Sequence, residues 1–148
     1  MSFFNSRLRY ALCAAVDLAM QPTSNACQSR EIASRQDIPG PYLDQILSSL
    51  KSAGIVKSVR GAGGGYNLAR QPDRIMVGDV VRAVMRTDKL FAGSDGDEPP
   101  PASIAWVVRD VEQKVECTIS DLLDNITLAD LVSNKAGLDD ALSYMPSL

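Results

Sequence analysis

The chain contains no histidine and only three cysteines in 148 residues. Without histidine there is no Ser-His or Cys-His nucleophile pair and no imidazole to ligate a metal. Cys13, Cys27 and Cys117 are far apart, odd in number and without a CxxC spacing. That argues against a disulfide framework and against a zinc site. A phosphate-binding loop is missing as well, because the glycine run ends in Tyr66-Asn67 and not in Lys-Ser or Lys-Thr. A dinucleotide fingerprint fails because Tyr66 takes the third glycine's place and the segment reads as strand. Long apolar runs are also lacking. Arg7 and Arg9 ahead of Tyr10–Met20 look like the start of a signal peptide, but Asp17 interrupts the run and no small-residue cleavage motif follows. The run is too short to span a membrane. The expectation is a cytoplasmic protein, not an enzyme, with no membrane contact and no metal site.

What is present is an ordinary globular composition, 45% hydrophobic and 22% charged, in a length suited to one domain or a small domain with an extension. The net charge of −3 does not advertise a polyanion partner. Its distribution does. Residues 1–86 hold eleven Lys and Arg against six Asp and Glu, a balance of +5; residues 87–148 hold four against twelve, a balance of −8. A basic first part joined to an acidic second part conceals a nucleic-acid surface from the whole-chain value.

Hydrophobic periodicity predicts helices over Leu8–Met20, with Leu12, Val16 and Ala19 on one face, and from a Ser29 cap to about Gln36. A third follows the turn Asp37-Ile38-Pro39-Gly40. Pro41 suits its first position, Leu43, Ile46, Leu47 and Leu50 form its apolar stripe, and Gly54 ends it. A strand-like run, Ile55–Val59, comes next, then four of the chain's ten glycines within Gly61–Gly65, then Tyr66-Asn67-Leu68. Glycines permit positive φ and close backbone approach, so this reads as a tight hairpin with a bare tip that includes Gly63 and Gly64. A short helix with Val77, Val80, Val81 and Val84 on one side follows. The expected fold is mainly α with a small β-hairpin wing: a winged helix-turn-helix over 1–86.

Residues 87–101 change character, with Asp95-Gly96-Asp97-Glu98 and three prolines marking an acidic, extended linker. Beyond it, over 102–148, Ile104, Val108, Val111, Val115, Ile119, Leu122 and Ile126 recur at steps of three and four, close to a coiled-coil seam. Twenty-three residues of helix would span about 34 Å. Pairing with the same helix of a second chain suits such a stripe, and folding back on the first domain is the alternative. Thr127–Val132 and the tail from Gly137 are expected to pack around this helix or fray.

In a helix-turn-helix the second helix enters the major groove with its N-terminal residues on base edges. Here these are Pro41, Tyr42, Asp44 and Gln45, with Ser48 and Ser49 a turn later. Gln45 can pair bidentately with adenine and Asp44 can accept from cytosine. Arg30, Arg35, Lys51 and Lys57 are candidate phosphate contacts, which position without specifying. Arg60, at the entrance to the hairpin tip, suits a narrow minor groove. Competing readings are a core role for the Tyr42 ring and a simple first-turn charge for Asp44.

The stretches Arg9-Tyr10-Ala11, Glu31-Ile32-Ala33, Pro41–Leu47, Leu50–Val56 and Ser58–Tyr66 together resemble the Rrf-two family of bacterial winged-helix regulators, with its IscR, NsrR and CymR branches. Val77–Val80 and Asn125–Leu131 resemble the family pattern too. The resemblance implies homodimers on near-palindromic double-stranded DNA operators, with the long helix as dimer element and Tyr42, Asp44, Gln45 and Arg60 at DNA-contacting positions. One departure is plain. The cluster-binding branches place three cysteines between the post-wing helix and the long helix, and Thr87–Pro101 has neither cysteine nor histidine. An iron–sulfur cofactor is therefore not carried over; a cluster on Cys13, Cys27 and Cys117 would need three distant sites to converge. Cys27, expected in an exposed loop, and Cys117, on the long helix, are the redox candidates; Cys13 reads as a buried core thiol. An unknown effector, or a protein partner bound by the acidic half in an adaptor role, remains open.

Overall fold

The computed structural model describes residues 3–85 and 98–144; most of the acidic linker expected over 87–101 lies outside the described residues. Helix α1 spans Ser6–Met20 and is capped by Asn5, whose side chain accepts from the Leu8 amide at 2.9 Å. Its buried face is Leu8, Ala11, Ala14, Ala15 and Leu18, while Leu12, Val16 and Ala19 are only half-buried. The buried stripe is thus rotated from the expected one, because alanines let the packed helices approach closely and larger residues take the flank. Helix α2, Ser29–Gln36, is capped one residue earlier than expected. Gln28 is its N-cap, and the Gln28 amide donates to Glu31 Oε2 at 2.9 Å. Asp37, at φ 52, turns the chain into α3, Gly40–Ser52, with Pro41 in its first turn.

The end of α3 leads directly to the wing. The Gly54 amide donates to Lys51 O and the Ile55 amide to Leu50 O, both at 3.0 Å. Gly54 sits at φ 73, so the last carbonyls are satisfied by a left-handed cap. Strand β1, Val56–Val59, then pairs antiparallel with β2, Gly65–Leu68, in the register Val56 with Leu68 and Val59 with Gly65. A single 3-10 turn, Pro72–Arg74, precedes α4, Val77–Met85, where all four expected valines are buried.

Helix α5 covers Ile104–Leu123, three residues short of the expected Ile126, because 126–128 leave the helix to pair with 75–77. The Val77 amide donates to Ile126 O at 2.8 Å and the Leu128 amide to Ile75 O at 2.9 Å. The segment expected to pack around α5 or fray forms a helix of its own, α6, Leu128–Ser143. Thr127 and Asp130 cap it reciprocally, Thr127 N to Asp130 Oδ2 at 2.9 Å and Asp130 N to Thr127 Oγ1 at 3.0 Å.

One core joins α1 to α4 and the hairpin: Ala11, Ala15, Leu18, Ile32, Leu43, Ile46, Leu47, Leu50, Ile55, Val56, Val80 and Val84, with Leu128 reaching in from α6. Burying a side chain such as Leu47 stabilises the fold by about 2 kcal/mol of transfer free energy. A smaller cluster of Leu8, Val77, Val81 and Leu123 holds the end of α5. No helix among the described residues is long and apolar enough to cross a membrane.

Candidate nucleic-acid interface

The rotation of α3 follows from its apolar stripe. Leu43, Ile46, Leu47 and Leu50 are all buried, and that turns Pro41, Asp44, Gln45, Ser48 and Lys51 to solvent as one continuous face. Tyr42 is half-buried and lies edge-on to Tyr10, ring centroids 5.6 Å apart, so its ring helps fix α3 against α1. Behind the face, the buried Ser49 donates to Gln45 O and accepts from Arg7 Nη2, both at 3.2 Å. Arg7 thereby joins Asp44, Gln45 and Ser48 around one shallow concavity bounded by Val84. Sequence reasoning missed Arg7. It lies 42 positions from Ser49, and only the packing of α1 on α3 brings it to this face.

The wing is anchored through Cys27. Its amide donates to Tyr66 O at 3.0 Å and its carbonyl accepts from the Tyr66 amide at 2.7 Å, adding a short third segment beside β2. Gly65 permits this approach. A Cβ there would stand 2.3 Å from Cys27 O, and its φ of +153° is one that side-chain-bearing residues rarely adopt. A Cβ on Gly64 would stand 2.6 Å from Val59 O, but one on Gly63 would meet nothing within 4 Å. Arg60 is exposed at the end of β1, beside this tip. Gly63 and Gly64 face Ser24, Asn25 and Gln28 across a small groove, so the tip lies close to the start of α2.

The cations divide into two kinds. Arg30, Lys51, Lys57 and Arg60 are exposed. Arg35, also exposed on one side, is engaged within the fold. Its Nε and Nη2 donate to the two oxygens of buried Asp17 at 3.0 and 2.7 Å, and Gln36 Nε2 adds a third bond at 2.9 Å. The hydrogen bonds to Asp17, with a smaller contribution from the Cys27 thiol, hold the guanidinium above its ordinary range. On the flank of the wing, Lys57 shares a groove with Thr23, Asn67, Arg70 and Arg74. Arg70 and Arg74 also escaped the sequence reading, since the turn carrying them shows no motif of its own.

Two of the three expected cysteine environments are reversed. Cys27 is buried at the root of the wing and not in an exposed loop, whereas Cys13 is exposed on α1 and not in the core; Cys117 is exposed on α5. Among the described residues no three His, Cys, Asp or Glu side chains gather to hold a metal ion. Of the expected dimer stripe, Ile104, Val108, Val111, Val115 and Leu122 are exposed, joined by Trp106 and Val107. Ile119 and Ile126 are not: they are partly buried against the cluster at the base of α5.

A protein-family model described as Rrf2 (Rrf-two), iron-dependent transcriptional regulator, matches residues 4–134. The chain is 39% identical over 139 residues to the HTH-type transcriptional regulator IscR of Sodalis glossinidius, covering 90% of this chain and 81% of that protein. The solved structure of IscR from T. potens, 36% identical, superposes with a TM-score of 0.70 over 98% of this chain and 93% of its own. That of CymR, the global cysteine regulator of B. subtilis, 30% identical, gives 0.74 over 90% and 98%.

Proposed function

Because the chain belongs to the Rrf2 family of DNA-binding transcriptional regulators, we propose that it acts as a homodimer on a near-palindromic operator, with α3 in the major groove and the wing in the minor groove. The observation that carries this reading is the continuous exposed face of α3, Pro41, Asp44, Gln45, Ser48 and Lys51, set beside a glycine wing with Arg60 at its tip. Gln45 and Asp44 read base edges through their donor and acceptor atoms. Arg7, Arg30, Lys51 and Lys57 neutralise phosphates and set the register. Arg60 enters the narrow groove, where the negative potential is enhanced. Gly63 and Gly64 let the wing backbone lie against the sugar-phosphate wall. The test is a gel-shift against DNA selected from a random-sequence pool. Specific binding that Gln45→Ala and Arg60→Ala each weaken at least roughly tenfold supports the reading; salt-insensitive or absent binding to every pool sinks it.

Symmetric pairing of α5 gives the dimer. Its 20 residues extend about 30 Å and carry a row of exposed valines that this chain alone leaves uncovered. Two copies related by a two-fold axis cover that row with itself.

The reading includes no iron–sulfur cluster. The residues present do not fit one: residues 87–101 supply no cysteine or histidine, Cys27 is enclosed at the wing root, and Cys13 and Cys117 lie exposed on different helices. Protein purified without air is expected to be colourless; a brown solution with visible charge-transfer bands contradicts this part of the reading.

A further inference from the structure

The joint between α5 and the DNA-reading unit contains an ion pair that takes no part in the proposed DNA interface. Arg82 Nη2 on α4 donates to Asp124 Oδ2, in the residue that ends α5, at 2.5 Å. Asp124 reaches this position because residue 78 has no side chain: a Cβ on Gly78 would stand 2.0 Å from Asp124 Oδ1. Gly78 itself is buried in the first turn of α4. Its conformation is not what requires glycine; the space above it is.

The placement of this pair matters because α5 is held mainly at its base. Its buried residue is Leu123, with Ile119 partly buried beside it. The backbone bonds between 75–77 and 126–128 fasten the chain beyond the helix, on the far side of Asp124 and Asn125. They hold α6 and leave the angle of α5 to the residues at its base. Helix α4 in turn packs on α3 and α1. A rotation of α5 by roughly 10° at its base would move its far end by about 5 Å, since the helix is about 30 Å long. In a dimer paired through α5, a displacement of this size exceeds one base-pair step of about 3.4 Å, so the angle of α5 bears on the separation of the two α3 helices.

We infer that Gly78, Arg82 and Asp124 form a latch that fixes the angle of α5 against the DNA-reading unit and so sets the half-site spacing the dimer accepts. The inference rests on the dimeric DNA-binding reading. These are positioning residues: they act through α4 and α5 and touch no base or phosphate themselves. Gly78→Ala tests the latch with little risk to the fold, because the atom it displaces is the end of the Asp124 side chain and not backbone.

The experiment uses an operator selected by the full chain from a random-sequence pool, with versions lengthened or shortened by one base pair between half-sites. The wild-type dimer is expected to bind the altered spacings roughly tenfold more weakly. Gly78→Ala and Asp124→Ala are expected to remain dimers by sedimentation and to bind an isolated half-site as the wild type does. Their penalty for altered spacing is expected to fall to about twofold, whereas Arg82→Lys, which keeps the charge, is expected to retain the wild-type penalty. Loss of fold alone would weaken all sites equally, so the spacing ratio separates the two effects. If Gly78→Ala and Asp124→Ala keep the full penalty, the latch is overturned while the DNA-binding reading stands. If the wild type neither dimerises nor binds DNA, both fall together.

Discussion

At Gly63 and Gly65 one residue type answers two different demands. Gly65 is fixed from within: its φ of +153° and the Cys27 carbonyl 2.3 Å from a Cβ position leave no alternative. Gly65→Ala is therefore expected to cost about 2 kcal/mol or more, visible as a lower melting temperature. Nothing among the described residues requires glycine at 63. Gly63→Ala is expected to leave the melting temperature unchanged and to weaken operator binding roughly tenfold, about 1.4 kcal/mol of forfeited close approach. Equal affinity for that variant and the wild type would remove the wing tip from the interface. The arginines divide in the same way. Arg35→Ala leaves a carboxylate that is 4% exposed with only its Gln36 hydrogen bond, and about 2 kcal/mol of stability is expected to go with it in chemical denaturation. Arg30→Ala should leave stability within about 0.5 kcal/mol. Its effect belongs instead in the salt dependence of DNA binding, where the slope of log affinity against log salt drops by about 0.9 for each phosphate no longer neutralised. Neither Arg35's partner nor Cys27's burial was legible in the sequence. Asp17 lies on another helix, and the Cys27–Tyr66 bridge spans 39 positions of chain, so no local pattern reports either one.

Among the elements, α3 and the wing were the most legible, because their signals are local. A four-residue apolar stripe, a proline near the start and a glycine past the end fix α3 from signals within and just beyond its thirteen residues. A glycine run between two short extended segments does the same for the hairpin. Helix α6 was illegible for the opposite reason. It has no sustained apolar stripe, its residues from 133 onward are exposed, and what starts it is the Thr127–Asp130 cap together with the burial of Leu128. Helix α5 was legible in its exposed part and misread at its base, where Ile119 and Ile126 turn inward against Leu123. Two substitutions separate core from surface. Leu47→Ala is expected to cost about 3 kcal/mol and to take DNA binding down with it. Val111→Asp, on a side chain 56% exposed, is expected to leave the melting of a dilute protomer unchanged and to convert a sedimenting dimer to a monomer. A Val111→Asp protein that still sediments as a dimer would move the interface off α5.

On the scale of the whole molecule, the two halves of the sequence carry opposite charge. The basic part holds α3, the wing and the cations Arg7, Arg70 and Arg74, which only the fold brought into view. The acidic part begins with a segment, residues 87–101, that contains no cysteine or histidine, and ends in helices whose apolar faces lie open. The proposed association of two such chains places two basic surfaces on one side and turns the α5 helices to each other. The most direct test of this arrangement is the affinity of wild-type and Gln45→Ala protein for an operator selected by the wild type, measured at one fixed salt concentration. Gln45 is exposed on α3 and supports no part of the core, so its removal reports on reading alone. The expected result is specific wild-type binding that falls at least roughly tenfold in the variant, with discrimination relaxed at one adenine position in each half-site. Equal affinity and unchanged sequence preference in the two proteins would contradict it.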